Sequence, residues 1–256
     1  MRYAAGVEYN GAAFHGWEIQ QPEIRTVQGE VERAFSKVAN HFVRVITAGR
    51  TDTGVHASGQ VIHFESDAER NERSWVYGAN ANLPPDASIA WVRPVSDEFH
   101  ARFSALSRTY RYRIFNRPVR SALSVQERTW VYRPLDEQRM QQAANDLVGE
   151  HDFSSYRAVA CQAHSPVRTI YRLEVTRIGE EVEILVQANA FLHHMVRNIA
   201  GVLIAIGSEL QPVGWAKEVL ELKDRTQGGV TAPPEGLSLI AVEYPEELLS
   251  WDIQKN

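Results

Sequence analysis

Two runs that alternate in the manner of strands, Val43–Thr47 and Gln60–Glu65, bracket a segment with no apolar period at all: Ala48-Gly49-Arg50-Thr51-Asp52-Thr53-Gly54-Val55-His56-Ala57-Ser58-Gly59-Gln60. Lacking a repeat of either 3.6 or 2, it is neither a helix face nor a strand core, so the chain must turn here between two strands. Glycines give the backbone freedom, and the short hydroxyl and carboxylate side chains can bond nearby amides to hold a tight loop. One carboxylate, Asp52, stands in its middle, two residues after the guanidinium of Arg50. A neighbouring cation favours the ionised carboxylate, the form that a nucleophile or base requires. The purely structural alternative is an Asx-turn, with Asp52 bonding local amides and Arg50 solvated.

Around this loop the chain sorts into two rounds of strands and helices. Arg2–Tyr9 alternates as a strand, and Thr26 can cap a helix Val27–Ala39 whose Val27, Val31, Ala34, Phe35 and Val38 share one face. Strands follow at Phe42–Thr47 and Gln60–Glu65, then a helix Glu72–Ala81 ending before Leu83-Pro84-Pro85, then a strand Ile89–Val92. In the second round Ser107–Phe115 is a strand and Asp136 caps a helix running to about Val148. Arg172–Arg177 and Val182–Gln187 form a hairpin around Gly179-Glu180. Helices Phe191–Leu210 and Trp215–Leu222 and a closing strand Leu237–Val242 complete it. The expectation is an α+β fold of two halves, 1–104 and 105–256, joined near Phe103–Ser107, with the tail after Tyr244-Pro245 peripheral.

A chain of 256 residues with 44% apolar and 23% charged residues is composed like an ordinary soluble globular protein. Cys161 is its only cysteine, which excludes an internal disulfide framework and suits a reducing compartment. Met1–Tyr9 lacks the apolar core of a signal peptide, and the longest apolar stretch, Ile199–Ile206, is too short to cross a membrane. A cytoplasmic protein is expected. The net charge of −5 argues against indiscriminate nucleic-acid binding, yet His100–Arg133 carries eight arginines against one acid, Glu127, a local +7. Arginine outnumbers lysine 23 to 4, and its planar fork suits phosphates and bases, although genomic base composition also produces such ratios.

Nine histidines raise the question of a metal. His193 and His194, read as adjacent on a helix, point about 100° apart, and no HxxxH or CxxC spacing accompanies them, so no metal is expected. There is no glycine-rich phosphate loop, no Gly-x-Ser-x-Gly elbow and no base partner evident for Cys161; the expected chemistry needs no cofactor. Two further segments stand out. On a strand, Tyr110 and Tyr112 share one face while Arg111 and Arg113 share the other, which suits either an RNA-stacking platform or an edge strand with its tyrosines in a core. In Ala188–Ile199, Leu192, Val196 and Ile199 make a core face, and Arg197 is either a buried cation with a carboxylate partner or a snorkelling one.

Arg50-Thr51-Asp52-Thr53-Gly54-Val55-His56, Phe99–Arg113 and Asn189–Arg197, in this order, resemble the TruA family of tRNA pseudouridine synthases. Further similarity runs through Gly16-Trp17, Thr26–Glu30, Asp224-Arg225 and Thr231–Leu237, so the resemblance spans about residues 3–245. It implies a pseudouridine synthase fold of two similar halves with mixed or antiparallel sheets joined across a basic catalytic cleft. It also implies a homodimer that isomerises uridine at position 38, 39 or 40 of the tRNA anticodon arm. Asp52 matches the family's catalytic aspartate, Tyr110 the tyrosine that stacks on the target uracil, Arg197 the helix arginine that pairs with the carboxylate, and Arg50 the arginine beside the loop. Arg102, Arg111, His56, Phe191 and His193 are the remaining candidates for contact with substrate. Glu18 stands where a glutamine is common, and Ser238 where an aromatic often is. A non-catalytic RNA-binding module would explain the basic segment but not a carboxylate in the loop, which repels phosphate. A glycoside hydrolase needs two flanking carboxylates, and Asp67 and Glu69 lack a supporting context. A nucleobase deaminase lacks its zinc ligands here.

Overall fold

The computed structural model describes residues 1–21, 23–123, 125–159, 161 and 163–249. It contains two compact units, Met1–Ser107 together with the chain from Leu239, and Arg108–Ser238. Against the expected division at 104/105, the unit boundary falls at 107/108, and the final strand leaves the second half for the first.

In the first unit, β1 (Arg2–Tyr9) is followed by α1 (Val27–Ala39), β2 (Val45–Thr47), β3 (His56–Glu65), α2 (Glu72–Asn80) and β4 (Ala87–Val95). β1 pairs antiparallel with β3, from Arg2↔Glu65 to Tyr9↔Ala57, and with β4, from Arg2↔Val95 to Tyr9↔Ala87. The cap and apolar face read for α1 are both present: Thr26 Oγ1 accepts from Gly29 N at 3.3 Å, and Val27, Val31, Ala34 and Phe35 are buried. An aromatic cluster forms the core, with Phe35 and Phe64 rings 4.5 Å apart and Phe64 5.1 Å from Trp75. Burying each such ring stabilises by about 2–3 kcal/mol. β2 is shorter than expected because Phe42 is exposed and the amide of Val43 bonds Ser36 Oγ at 2.9 Å instead of a strand neighbour.

The second unit runs β5 (Ser107–Asn116), β6 (Thr129–Val131), α3 (Glu137–Asn145), β7 (Gly149–Asp152), β8 (Val167–Ile178), β9 (Glu181–Ala188), α4 (Met195–Gly207) and α5 (Trp215–Leu222). β5, β9, β8 and β7 lie in that order, each antiparallel to the next, and β6 runs parallel to β5. The hairpin around Gly179 is present, as is the Asp136 cap, whose carboxylate accepts from the amides of Gln138 and Arg139. The long helix is shorter than its apolar pattern suggests. His194 takes a left-handed conformation (φ 61°), so α4 starts only at Met195. His193 and His194 therefore precede the helix rather than lie on it. A last strand, β10 (Leu237–Glu243), carries the chain back to lie next to β3. Tyr244 and Leu249 beyond it are buried, so the tail is not peripheral up to that point; residues 250–256 lie outside the described chain.

Candidate catalytic site

The loop between β2 and β3 is held from three sides. Its tip, Asp52–Val55, closes through Val55 N bonding Asp52 O at 3.1 Å. Of the two central residues only Gly54 has a positive φ (80°), the combination of a type II turn, which accounts for a glycine at that position. A preceding segment clasps the loop: Trp17 N donates to Thr51 O at 3.0 Å, Gly54 N to Phe14 O at 3.3 Å, and Gly11 N to His56 Nδ1 at 3.0 Å. From beneath, Tyr9 Oη bonds Thr51 Oγ1 at 2.8 Å, and the amide of Gln60 donates to Gly49 O at 2.7 Å and to Tyr9 Oη at 3.4 Å. Tyr9 and Gln60 are fully enclosed, and burial pushes the Tyr9 hydroxyl up to about 12. Asp52 itself is half-buried at the end of this braced segment. An acid on a braced turn, with part of its surface exposed, is what an attacking carboxylate needs.

The candidate residues of this unit do not all gather there. The sequence places Arg50 as a support for the Asp52 carboxylate; its guanidinium instead meets Glu18 at 2.7 Å, in a pair whose two side chains are largely exposed. His56 accepts a backbone hydrogen bond through Nδ1, so in its neutral form the proton is on Nε2, and the ring braces the Gly11 turn. Arg102 lies at the other end of β3. The neighbouring amide of Ala101 donates to His63 Nδ1 at 3.0 Å, and the Arg102 guanidinium lies 5.5 Å from the exposed Phe103 ring.

In the second unit, β5 presents Tyr110 and Tyr112 on its buried face, as alternation requires, but their surroundings differ. Tyr112 is a core residue, donating to Pro233 O at 2.9 Å and bonding Thr129 Oγ1 at 2.6 Å, and burial holds its hydroxyl well above the usual range. Tyr110 meets Phe191 edge to face, with ring centroids 5.0 Å apart, so these two candidates are brought together. Arg197, in the first turn of α4, is fixed through its stem: Nε donates to Ala232 O at 2.8 Å, while Ala232 N donates to Arg197 O at 3.1 Å. The Thr231–Pro233 strap that supplies this carbonyl is itself tied down. Arg225 reaches Asn198 Oδ1 at 3.0 Å and Thr231 Oγ1 at 2.9 Å, and Asn198 Nδ2 donates to Tyr156 O. His193 is exposed.

The arginine-rich segment is sorted by the sheet. Across from β5, Glu183 faces Arg111 at 3.8 Å, Glu181 binds Arg113 at 2.7 Å and Arg128 at 2.9 Å, and Glu180 faces Arg117 at 3.4 Å. The hydrogen bond from Arg113, with charge from it and from Arg128 and Arg111, holds the Glu181 carboxyl below the usual range. Four of the segment's eight arginines thus meet three glutamates of β9 and the turn before it, and Arg111 is an ion-paired residue of the sheet face. Sequence reasoning missed Tyr9, Gln60 and the Ala232 carbonyl as supports. The buried face of β1 and one polar residue within the apolar run of β3 are the only marks that the first two leave.

Comparison with known proteins gives one answer. The family model described as tRNA pseudouridine synthase matches residues 5–104 and 143–245. A protein of Coxiella burnetii named tRNA pseudouridine synthase A is 57% identical over 95% of this chain and 93% of its own length. Proteins of the same name from Alcanivorax borkumensis (56% identical; 96% of this chain, 92% of that one) and Pseudomonas aeruginosa (55% identical; 96% and 86%) are similar.

Proposed function

Since the chain belongs to the tRNA pseudouridine synthase family, we propose that it isomerises uridine to pseudouridine at position 38, 39 or 40 of the tRNA anticodon arm, with Asp52 as nucleophile and no cofactor. The observation that carries this reading is the braced, half-buried Asp52 on its type II turn, a single carboxylate fixed where a substrate can reach it. The target uridine leaves the stem at a cost of a few kcal/mol, offset by stacking on an aromatic ring and by phosphate contacts. Tyr110, set by Phe191, is the ring assigned to that stacking. The C1′–N1 bond then breaks, uracil turns, and C5 bonds to C1′; C5 loses its proton and N1 gains one. Atoms and oxidation state balance without a redox partner or group donor. Arg197, held by the Ala232 carbonyl, gives cationic support to the reaction. The same reading has the protein working as a homodimer in the cytoplasm, with Arg102, Arg111, His56 and His193 as further contacts to RNA.

Tritium release from tRNA carrying 5-tritiated uridine tests this directly. Wild type is expected to release tritium with no added metal or nucleotide, and Asp52→Ala to bind tRNA and release none. Arg197→Ala is expected to lower kcat more than affinity. Turnover by Asp52→Ala would remove the nucleophile assignment, and tight tRNA binding without release by wild type would favour an RNA-binding module.

A further inference from the structure

Resting on the assignment of Asp52 as the reacting carboxylate, we propose that Tyr9, Gln60 and Thr51 form a positioning network for it. Proton directions can be followed at its Gln60 end. The Gln60 amide has two hydrogens, and they go to Gly49 O at 2.7 Å and Tyr9 Oη at 3.4 Å. With an N–H arriving at its oxygen, the Tyr9 hydroxyl also pairs with the Thr51 hydroxyl, Oη to Oγ1 at 2.8 Å, a bond in which either oxygen can donate. Burial raises the Tyr9 hydroxyl to about 12, so it stays protonated, and the link to Thr51 intact, throughout the working pH range.

The network ends on the residue before Asp52. Gly49 is gripped a second time, by the Thr47 hydroxyl at 3.2 Å, and the Thr51 carbonyl is gripped by Trp17 N at 3.0 Å. Thr51 is thereby held through both its side chain and its backbone, and the peptide that carries Asp52 has little freedom left. Both rings of the support are rigid: Tyr9 packs against Trp17 with centroids 6.0 Å apart, and neither is exposed. A purely stabilising role would not require the bonds to converge on Gly49 and Thr51, the two residues that flank Arg50, the second of which directly precedes the carboxylate.

The test compares Tyr9→Phe, Thr51→Val and Thr51→Ser in steady-state tritium release from tRNA, with thermal melts recorded for each. A misplacement of about 1 Å can cost on the order of a hundredfold in rate, so a loosened carboxylate is expected to lose about tenfold in kcat. The expected result is that loss for Tyr9→Phe and Thr51→Val at unchanged KM, with Thr51→Ser, which keeps the oxygen, within about twofold of wild type. The double variant Tyr9→Phe/Thr51→Val is expected to lose no more than either single one, because both cut the same link. An unchanged kcat in variants whose melting temperature has fallen would overturn the proposal and leave a merely structural bond. Failure of the parent reading looks different: wild type itself would release no tritium, or Asp52→Ala would remain active.

Discussion

His63 lies near the Glu65 end of β3, its Nδ1 accepting from Ala101 N and its ring 4.6 Å from that of His100. Burial lowers its pKa from 6.5 to about 4; the charges of His100 and Arg2 act in the same direction and Glu65 opposes them. His100 is lowered too, first by burial and then by Arg2. Below pH 6.5 the unfolded chain takes up protons that the folded chain refuses, so this contribution to stability is complete above about 6.5 and is lost as the pH falls toward 4. His63→Gln, which keeps an acceptor for Ala101, is expected to flatten the pH dependence of urea unfolding in that window. An identical slope in the variant would place the titration elsewhere. Glu18 gives a second test at this scale. Its pair with Arg50 is exposed, so Glu18→Gln is expected to change stability by less than about 0.5 kcal/mol. Freeing a cation beside the proposed nucleophile should instead steepen the salt dependence of tRNA binding, by about 0.9 in the log–log slope. A parallel salt titration of both proteins would contradict this.

Between elements, the Asp52 loop and the Gly11–Trp17 segment act as one clasp, and Gly16 is its tightest point. It has φ of 85°, and a Cβ there would lie 2.8 Å from Thr51 O and 3.2 Å from Asp52 C. Gly16→Ala combines backbone strain with that contact and is expected to cost about 1–3 kcal/mol in thermal or urea unfolding. Because the tightest contact is the Thr51 carbonyl, on the peptide that carries Asp52, turnover should drop further than tRNA affinity; an unaltered melt and kcat would show that the clasp yields freely. Much of this level is legible in the sequence. The loop declares itself by losing all period between two alternating runs, although His56–Gln60, read as its last residues, already belong to β3, and α1 declares itself by a capping threonine directly before its apolar face. The start of α4 is not legible, since Phe191 and Leu192 continue the apolar pattern upstream of the left-handed His194, while Phe191 turns to pack on Tyr110. Nor is the partner of Arg50: sequence places Asp52 two residues away, but Gly16 and Trp17 bring Glu18 alongside through the fold. β6 escapes notice because three residues hold too little pattern, and its parallel pairing with β5 is a tertiary fact.

At the scale of the whole molecule, the two ends of the chain meet in one unit. Leu239, Val242, Tyr244 and Leu249 are buried. Leu106 N donates to Glu243 O at 2.8 Å, Ser107 Oγ to Glu243 Oε2 at 2.6 Å, and the Tyr244 hydroxyl to Ala101 O at 2.7 Å. The Phe99 and Tyr244 rings lie 4.9 Å apart, and the Ile240 carbonyl approaches Gly59 closely enough to leave no room for a side chain. These contacts span well over a hundred residues of sequence, so the unit that carries Asp52 cannot complete its sheet until the final strand has been made. The strands of the second unit, in contrast, come from one continuous stretch of chain. A protein ending at Ser238 would lose β10 and every buried contact beyond it. Limited proteolysis of that protein is expected to cut first within residues 1–107, at protease concentrations that leave the intact chain whole. Tyr244→Phe, removing one buried hydrogen bond and nothing else, should cost only about 1 kcal/mol and keep the intact cleavage pattern. If the shortened protein resisted protease as the full one does, residues 1–107 would hold their fold without the strand, and the closing of the chain on itself would add nothing to the stability of the loop that bears Asp52.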